Sequence, residues 1–237
     1  MRYYIADCHF YHRSLLDKMD CRNFDSVEAM NETMIEQWNK KVRRNDEVVI
    51  LGDFPWGTAE QTTELLHRLN GRKFLIRGNH DLYLKDKTFD QSLFGWVKDY
   101  AELHDNKRKV VLSHYPIACY NGQYRVDLEG TPVTWMLYGH IHNTRDQILL
   151  DAYCDLVRQT THTAIGTGEK RQIPVQMINC FCMRSNYQPL TLDEWIEVER
   201  KRTTVQKPVT LPSIHVRKPV EASDRDLSLE RLTPDSE

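Results

Sequence analysis

The chain has no apolar run approaching the length of a membrane span, and its opening "MRYYIADCHF" passes straight into polar residues, so neither a spanning helix nor an export signal is expected. It has no marked charge imbalance. A formal net charge of -2 gives no global electrostatic case for nucleic acid or an anionic membrane, although a local basic patch remains open. It lacks any Cys-x-x-Cys pair, and its six cysteines (Cys8, Cys21, Cys119, Cys154, Cys180, Cys182) read as reduced thiols of a cytoplasmic protein. A zinc-thiolate site at Cys180 and Cys182 is the sharper reading, but a single intervening residue suits a buried strand at least as well. There is no internal repeat. What remains is the composition of an ordinary globular protein, 40% hydrophobic and 28% charged, in 237 residues that suit one large domain with an appendage.

Periodicity divides the chain further. "RYYIAD", "DEVVILGD", "KFLIRGNHD", "KVVLSH", "WMLYGH" and "VQMINCF" read as short buried strands. Between the first two, Val27, Met30, Met34, Trp38 and Val42 recur at three and four, with Asp25 and Glu28 spaced as a capping box, which predicts an amphipathic helix. A second helix is expected at "AEQTTELLHRLNG", with Thr58 as N-cap and Leu65, Leu66 and Leu69 facing inward. "SLFGWVKDYAEL" and "RDQILLDAYCDLVRQ" carry mixed or helical signals, and residues 160 to 172 read as a polar loop. Alternating strands and helices argue for a layered α/β domain over residues 1–200, followed by a charged, proline-containing tail at 201–237.

Chemistry gathers where these strands end. Asp7 and His9 close the first, Gly52-Asp53 the second, Gly78-Asn79-His80-Asp81 the third, and Ser113-His114 and Gly139-His140-Ile141-His142 two later ones. His67 falls in a helix, and His104, His162 and His215 in loops or the tail. In layered α/β folds successive strand ends converge on one rim, so distant residues would meet there. Two Asp, one Asn and four His supply hard oxygen and borderline nitrogen donors suited to Mn, Fe, Zn, Co or Ni, whereas calcium or magnesium would call for more carboxylates. Each residue alone is explained as well by turn chemistry or a hydrogen-bonded surface histidine. Seven such donors at five strand ends are not.

The ordered motifs D-x-H, G-D, G-N-H-D, S-H and G-H-x-H resemble the calcineurin-like metallophosphoesterase superfamily, and "ADCHFYH" is similar to the openings of a bacterial and phage branch, with Ala6 where serine is usual. The resemblance implies a four-layer αββα sandwich of two mixed β-sheets flanked by helices. It implies two divalent metal ions, manganese favoured, one held by Asp7, His9, Asp53 and His142 and the other by Asp53, Asn79, His114 and His140. A metal-bridging hydroxide would then attack a phosphate mono- or diester, with a nucleotide or nucleic-acid fragment among the candidate substrates. His80 would assist the leaving group and Asp81 would orient it. His12, Arg22, Arg77, Tyr115 and Arg125 are candidate substrate contacts, each weighed against a purely structural role. Two other readings stay open: a catalytically idle scaffold on the same fold, and a single structural zinc.

Overall fold

The computed structural model describes residues 1–163 and 168–205. In chain order the elements are β1 (Arg2–Ile5), α1 (Ser14–Asp17), α2 (Val27–Lys41), β2 (Glu47–Ile50), α3 (Ala59–Arg68), β3 (Arg72–Ile76), β4 (Val97–Lys98), β5 (Tyr100–Asp105), β6 (Arg108–Ser113), β7 (Thr134–Tyr138), α4 (Arg145–Gln159), β8 (Thr161–Thr163), β9 (Lys170–Gln172), β10 (Met177–Asn179) and α5 (Leu192–Val205). One sheet runs β1-β2-β3-β4 with every pairing parallel. The other runs β10-β7-β6-β5, parallel except where β5 meets β6.

Strand alternation builds the layers. Tyr3, Ile5, Val48, Ile50 and Leu75 face outward onto Met30, Met34 and Trp38 of α2 and Leu65 and Leu66 of α3. Their neighbours Tyr4, Val49, Phe74 and Ile76 face the opposite way, onto Val110, Leu112, Leu137 and Ile178 of the second sheet. The far side of that sheet places Val111, Met136, Tyr138 and Met177 against Cys154 of α4. The result is the expected αββα sandwich. Its inner strands are buried on both faces, which is why they read as continuous apolar runs instead of alternating ones.

The two sheets are joined at the end of β1. Ala6 N–H donates to the Cys180 carbonyl and Cys182 N–H donates to the Ala6 carbonyl, so β1 is stitched to the segment that follows β10. Trp195 of α5 is fully buried between the sheets and donates its indole N–H to the Tyr4 carbonyl. Helix α5 passes position 200, where the sequence places the end of the domain, and reaches Val205; the remaining tail, 206–237 with His215, lies outside the described residues.

Several local expectations are corrected. Ser26, not Asp25, caps α2, accepting from Ala29 N–H, while the reciprocal capping box belongs to Thr58 and Gln61 of α3. "SLFGWVKDYAEL" is not helical: it holds a short 3-10 turn at Gln91–Leu93, then β4 and the edge strand β5, whose exposed positions dilute the apolar signal. "RDQILLDAYCDLVRQ" is α4, capped by Thr144. Within 160–172 the described residues pair as β8 and β9; β9 is wholly exposed, so no burial pattern announces it, and 164–167 lie outside the described residues. His104 and His162 sit in β5 and β8, not in loops.

Candidate metal centre

The loops after β1, β2, β3, β6 and β7 meet at one rim, and two groups of side chains form there: Asp7, His9 and His142, and Asp53, His114 and His140. Within each group the ligand atoms all lie within 4.8 Å of one another. Asp53 stands between the groups, its Oδ2 3.5 Å from His9 Nε2 and 3.5 Å from His114 Nε2. Asn79 joins the second group, with Oδ1 3.0 Å from His114 Nε2. All seven residues singled out as donors are therefore neighbours in space.

The backbone is bent to bring them there. Asp7, His9, Asp53, His140 and His142 all have φ between 46° and 69°, the left-handed region. Non-glycine residues rarely adopt it, although Asp and His tolerate it better than most, and each such residue costs about 1–3 kcal/mol. Glycines beside these positions make room for the carboxylates. A Cβ on Gly139 would lie 2.7 Å from Asp7 Oδ2, and one on Gly78 would collide with Asp53 Oδ1.

Hydrogen bonds decide which atom of each side chain faces the rim. His142 Nδ1–H donates to Asp20 Oδ1 at 2.7 Å, and His114 Nδ1–H donates to the Leu51 carbonyl at 2.8 Å, so in both rings the proton is held on Nδ1 and Nε2 keeps its lone pair. The Asp7 carboxylate accepts from His140 N–H, and Asp53 Oδ1 accepts from His80 N–H, leaving Asp53 Oδ2 to face the histidines.

Lone pairs consequently point at one another. His142 Nε2 lies 3.2 Å from His9 Nε2, and His114 Nε2 faces Asn79 Oδ1. His9 can relieve the first clash by carrying its proton on Nε2, but its buried Nδ1 then has no partner. Donors about 2.0–2.2 Å from a common cation sit roughly 3–4 Å apart, the spacing seen here, so a cation suits this set better than any arrangement of protons. Burial lowers the pKa of His9, His114 and His140 below the ordinary histidine value, which keeps the lone pairs free at neutral pH. Burial also raises the Asp7 carboxyl, against the pull of the His140 N–H and with the Asp53 charge adding to the rise. A nearby cation would reverse that.

Two assignments are corrected by geometry. Asp81 does not orient the His80 ring: its buried carboxylate accepts from Gly78 N–H at 2.7 Å, Phe54 N–H at 2.9 Å and Asp53 N–H at 3.1 Å, clamping the turn after β2 to the turn after β3. Arg22 is not a substrate contact. Its buried guanidinium donates to the backbone carbonyls of Asp7 and Cys8 and pairs with Asp20, fixing the loop that carries Asp7 and His9.

The remaining candidates divide. His80 is half-buried, its ring centroid 5.6 Å from that of His9. Tyr115 is at the rim, its ring 4.5 Å from His140 and its hydroxyl donating to Asn79 Oδ1 at 3.4 Å. His12 lies beside His9, with ring centroids 5.3 Å apart. Arg77 forms a bidentate pair with Asp99, and Arg125, beside Gly122, has no side-chain bond to the rim among the described residues.

Sequence reasoning missed two residues. Asp20 orients His142 from 122 positions away, and Trp56, half-exposed, stands with its ring centroid 4.7 Å from that of His80. Trp56 lies only three residues after Asp53 of the G-D motif. Nothing in the sequence pointed to Asp20.

The pattern described as calcineurin-like phosphoesterase matches residues 3–102. An uncharacterised protein of Methanocaldococcus jannaschii is 31% identical over 206 residues, 86% of this chain and 94% of that one. The gene 66 protein of Mycobacterium phage D29 is 30% identical over 189 residues, covering 65% of this chain and 90% of its own length. In fold, a crystal structure of a protein of unknown function from Aquifex aeolicus aligns over 84% of this chain and 98% of that one, with a TM-score of 0.55 at 24% identity. No helix among the described residues is long and apolar enough to cross a membrane.

Proposed function

The chain belongs to the calcineurin-like phosphoesterase family, and from that premise we propose that it is a binuclear-metal hydrolase of phosphate mono- or diesters. Asp7, His9, Asp53 and His142 would hold one divalent ion, and Asp53, Asn79, His114 and His140 the other. The supporting observation is the position of Asp53 Oδ2, equidistant from a histidine of each group and turned to them by the His80 N–H. Oxygen and imidazole donors without thiolate suit Mn, Fe, Zn, Co or Ni, and manganese is favoured. When bound, such a pair acidifies a water and neutralises phosphoryl charge during in-line displacement.

The chain's own groups supply the rest. His142 and His114 are held in fixed tautomers by Asp20 and Leu51, so their donor atoms need no reorientation when an ion arrives. His80 shares no side-chain bond with Asp81 and lies toward Trp56, where its imidazole can give a proton to a departing alkoxide. Tyr115 meets the rim from the Asn79 side, its hydroxyl donating to the Asn79 side chain.

The test is hydrolysis of bis-p-nitrophenyl phosphate and p-nitrophenyl phosphate by protein stripped with chelator and reloaded with Mn. Turnover that needs the metal and falls about 10²- to 10⁴-fold in His80→Ala supports the reading, and the preferred ester settles the class. A metal-loaded protein that cleaves no ester in a broad panel, with His80→Ala indistinguishable from wild type, would replace it with the idle scaffold. A single equivalent of zinc whose removal unfolds the chain would replace it with a structural metal site.

A further inference from the structure

Trp56 is 45% exposed, yet it is not loose. Its backbone N–H donates to the Phe10 carbonyl at 2.7 Å, and one face of its indole is stacked on His12, with centroids 4.0 Å apart and planes 11° from parallel. His12 is in turn held by Ser14, whose Oγ lies 2.9 Å from His12 Nε2. The chain Ser14–His12–Trp56 fixes a large, half-exposed apolar ring at the rim, with the His80 ring 4.7 Å away between centroids and tilted 47° to it. Single exposed aromatics are common on protein surfaces. One buttressed by a second ring, beside the group proposed to serve the leaving alcohol, calls for a use.

Resting on the phosphoesterase reading, we propose that Trp56 is a stacking platform for a nucleobase carried by the departing alcohol, so that the preferred substrates are nucleotide esters. A π-face accepts any base, and an already ordered ring loses little conformational freedom on binding. Tyr115, on the other side of the centre, stands beside His140 and Asn79 and not beside His80, so it is not placed at the leaving-group side. His12, named from the sequence as a substrate contact, becomes a positioning residue that acts through Trp56.

The test uses pairs of esters matched in alcohol chemistry. If monoesters are cleaved, thymidine 5′-monophosphate is compared with 2-deoxyribose 5-phosphate; if diesters, thymidylyl-thymidine is compared with the analogue whose leaving nucleoside lacks its base. The expected wild-type ratio of kcat/KM, base over no base, is about 5- to 150-fold, the range that stacking on one aromatic side chain supports. In Trp56→Ala it falls toward one, and Trp56→Phe restores part of it. His12→Ala lowers the ratio through KM, and His12→Phe, which keeps a ring behind the indole, recovers it.

A second readout needs no turnover: quenching of tryptophan fluorescence by thymidine 5′-monophosphate, present in wild type and lost in Trp56→Ala. A ratio near one in wild type, or one unchanged in Trp56→Ala, overturns the proposal. So does a preference that appears with a naphthyl ester but with neither nucleotide. If no ester is cleaved while quenching still depends on Trp56, the hydrolase reading fails and the platform stands.

Discussion

Replacing Gly139 or Gly78 with alanine tests the centre without touching a donor. A Cβ on Gly139 would lie 2.7 Å from Asp7 Oδ2, 3.0 Å from Asp7 Oδ1 and 2.7 Å from Ala6 Cβ, where ordinary contact begins at 3.4 Å. The carboxylate must therefore retreat by about 0.7 Å, while metal-ligand distances tolerate only about ±0.2 Å. Neither glycine has a positive φ, so its own backbone conformation accepts alanine; the Gly139 Cβ then presses on the Asp7 and Ala6 side chains, whereas the Gly78 Cβ also meets main chain at the Asp53 nitrogen. Overpacking of this kind costs about 1–3 kcal/mol, and at roughly 2–4 °C per kcal/mol for a chain of this size the melting temperature should drop by about 2–12 °C. Gly139→Ala should empty the Asp7, His9 and His142 group and spare the other. Gly78→Ala presses harder, on Asp53, and should empty both. Elemental analysis after manganese loading reads the outcome directly: near two ions per chain in wild type, near one in Gly139→Ala, near none in Gly78→Ala. If both variants melt lower, proving the displacement, yet hold the full wild-type complement of metal, these carboxylates are not ligands and the centre has been misassigned.

Asp20→Asn should weaken metal binding by about 10- to 100-fold, because it removes the carboxylate that fixes the His142 tautomer; competition with a chelating dye measures this, and an affinity within twofold of wild type refutes it. Asp81→Ala strands two buried N–H donors, of Asp53 and Phe54, and the part-buried one of Gly78; at about 1–3 kcal/mol for each buried donor, urea unfolding in chelator should show a loss of at least about 2 kcal/mol. Asp81→Asn should cost less, because one oxygen can still accept from both Gly78 and Asp53. Stability unchanged in Asp81→Ala, together with a shifted pH profile for turnover, would return Asp81 to the role of orienting His80.

The donors were legible because strand endings and residue types are local signals: an apolar run closed by Gly-Asp or Gly-His can be read wherever it stands. The layered α/β class was legible for the same reason, since α2 and the inner strands differ in period; the four-layer order came from the resemblance. What escaped depends on pairings across the fold. Asp20 and His142 are adjacent only because β1 is stitched beside the segment after β10, and no local pattern marks "MDCR" as their meeting point. Arg22 looked like a phosphate contact because a guanidinium in a polar loop usually reaches solvent, but this one is enclosed between Phe181 and Tyr187 and turned to main-chain carbonyls. Asp81 was misread through adjacency: neighbours in a turn point apart, so the residue next to His80 in sequence serves the backbone of Asp53 instead.

These features together make the centre a source of instability for the fold that carries it. Five of the eleven non-glycine residues with positive φ among the described residues are candidate ligands. At about 1–3 kcal/mol each, toward the lower end for Asp and His, their strain alone is comparable with the 5–15 kcal/mol by which domains are usually stable. Three carboxylates, Asp7, Asp53 and Asp81, are buried at the same rim, and burial raises the pKa of Asp7 and of Asp81. Core packing cannot favour such an arrangement, because apolar side chains have no interest in which way a carboxylate lone pair points. The sheets and their helices must therefore be stable enough to impose it, and a cation bound there offsets the strain, the desolvation and the facing lone pairs at once. Side chains whose only cost-free state is a bound one explain why strained backbone and closely spaced donor atoms occur together at this rim.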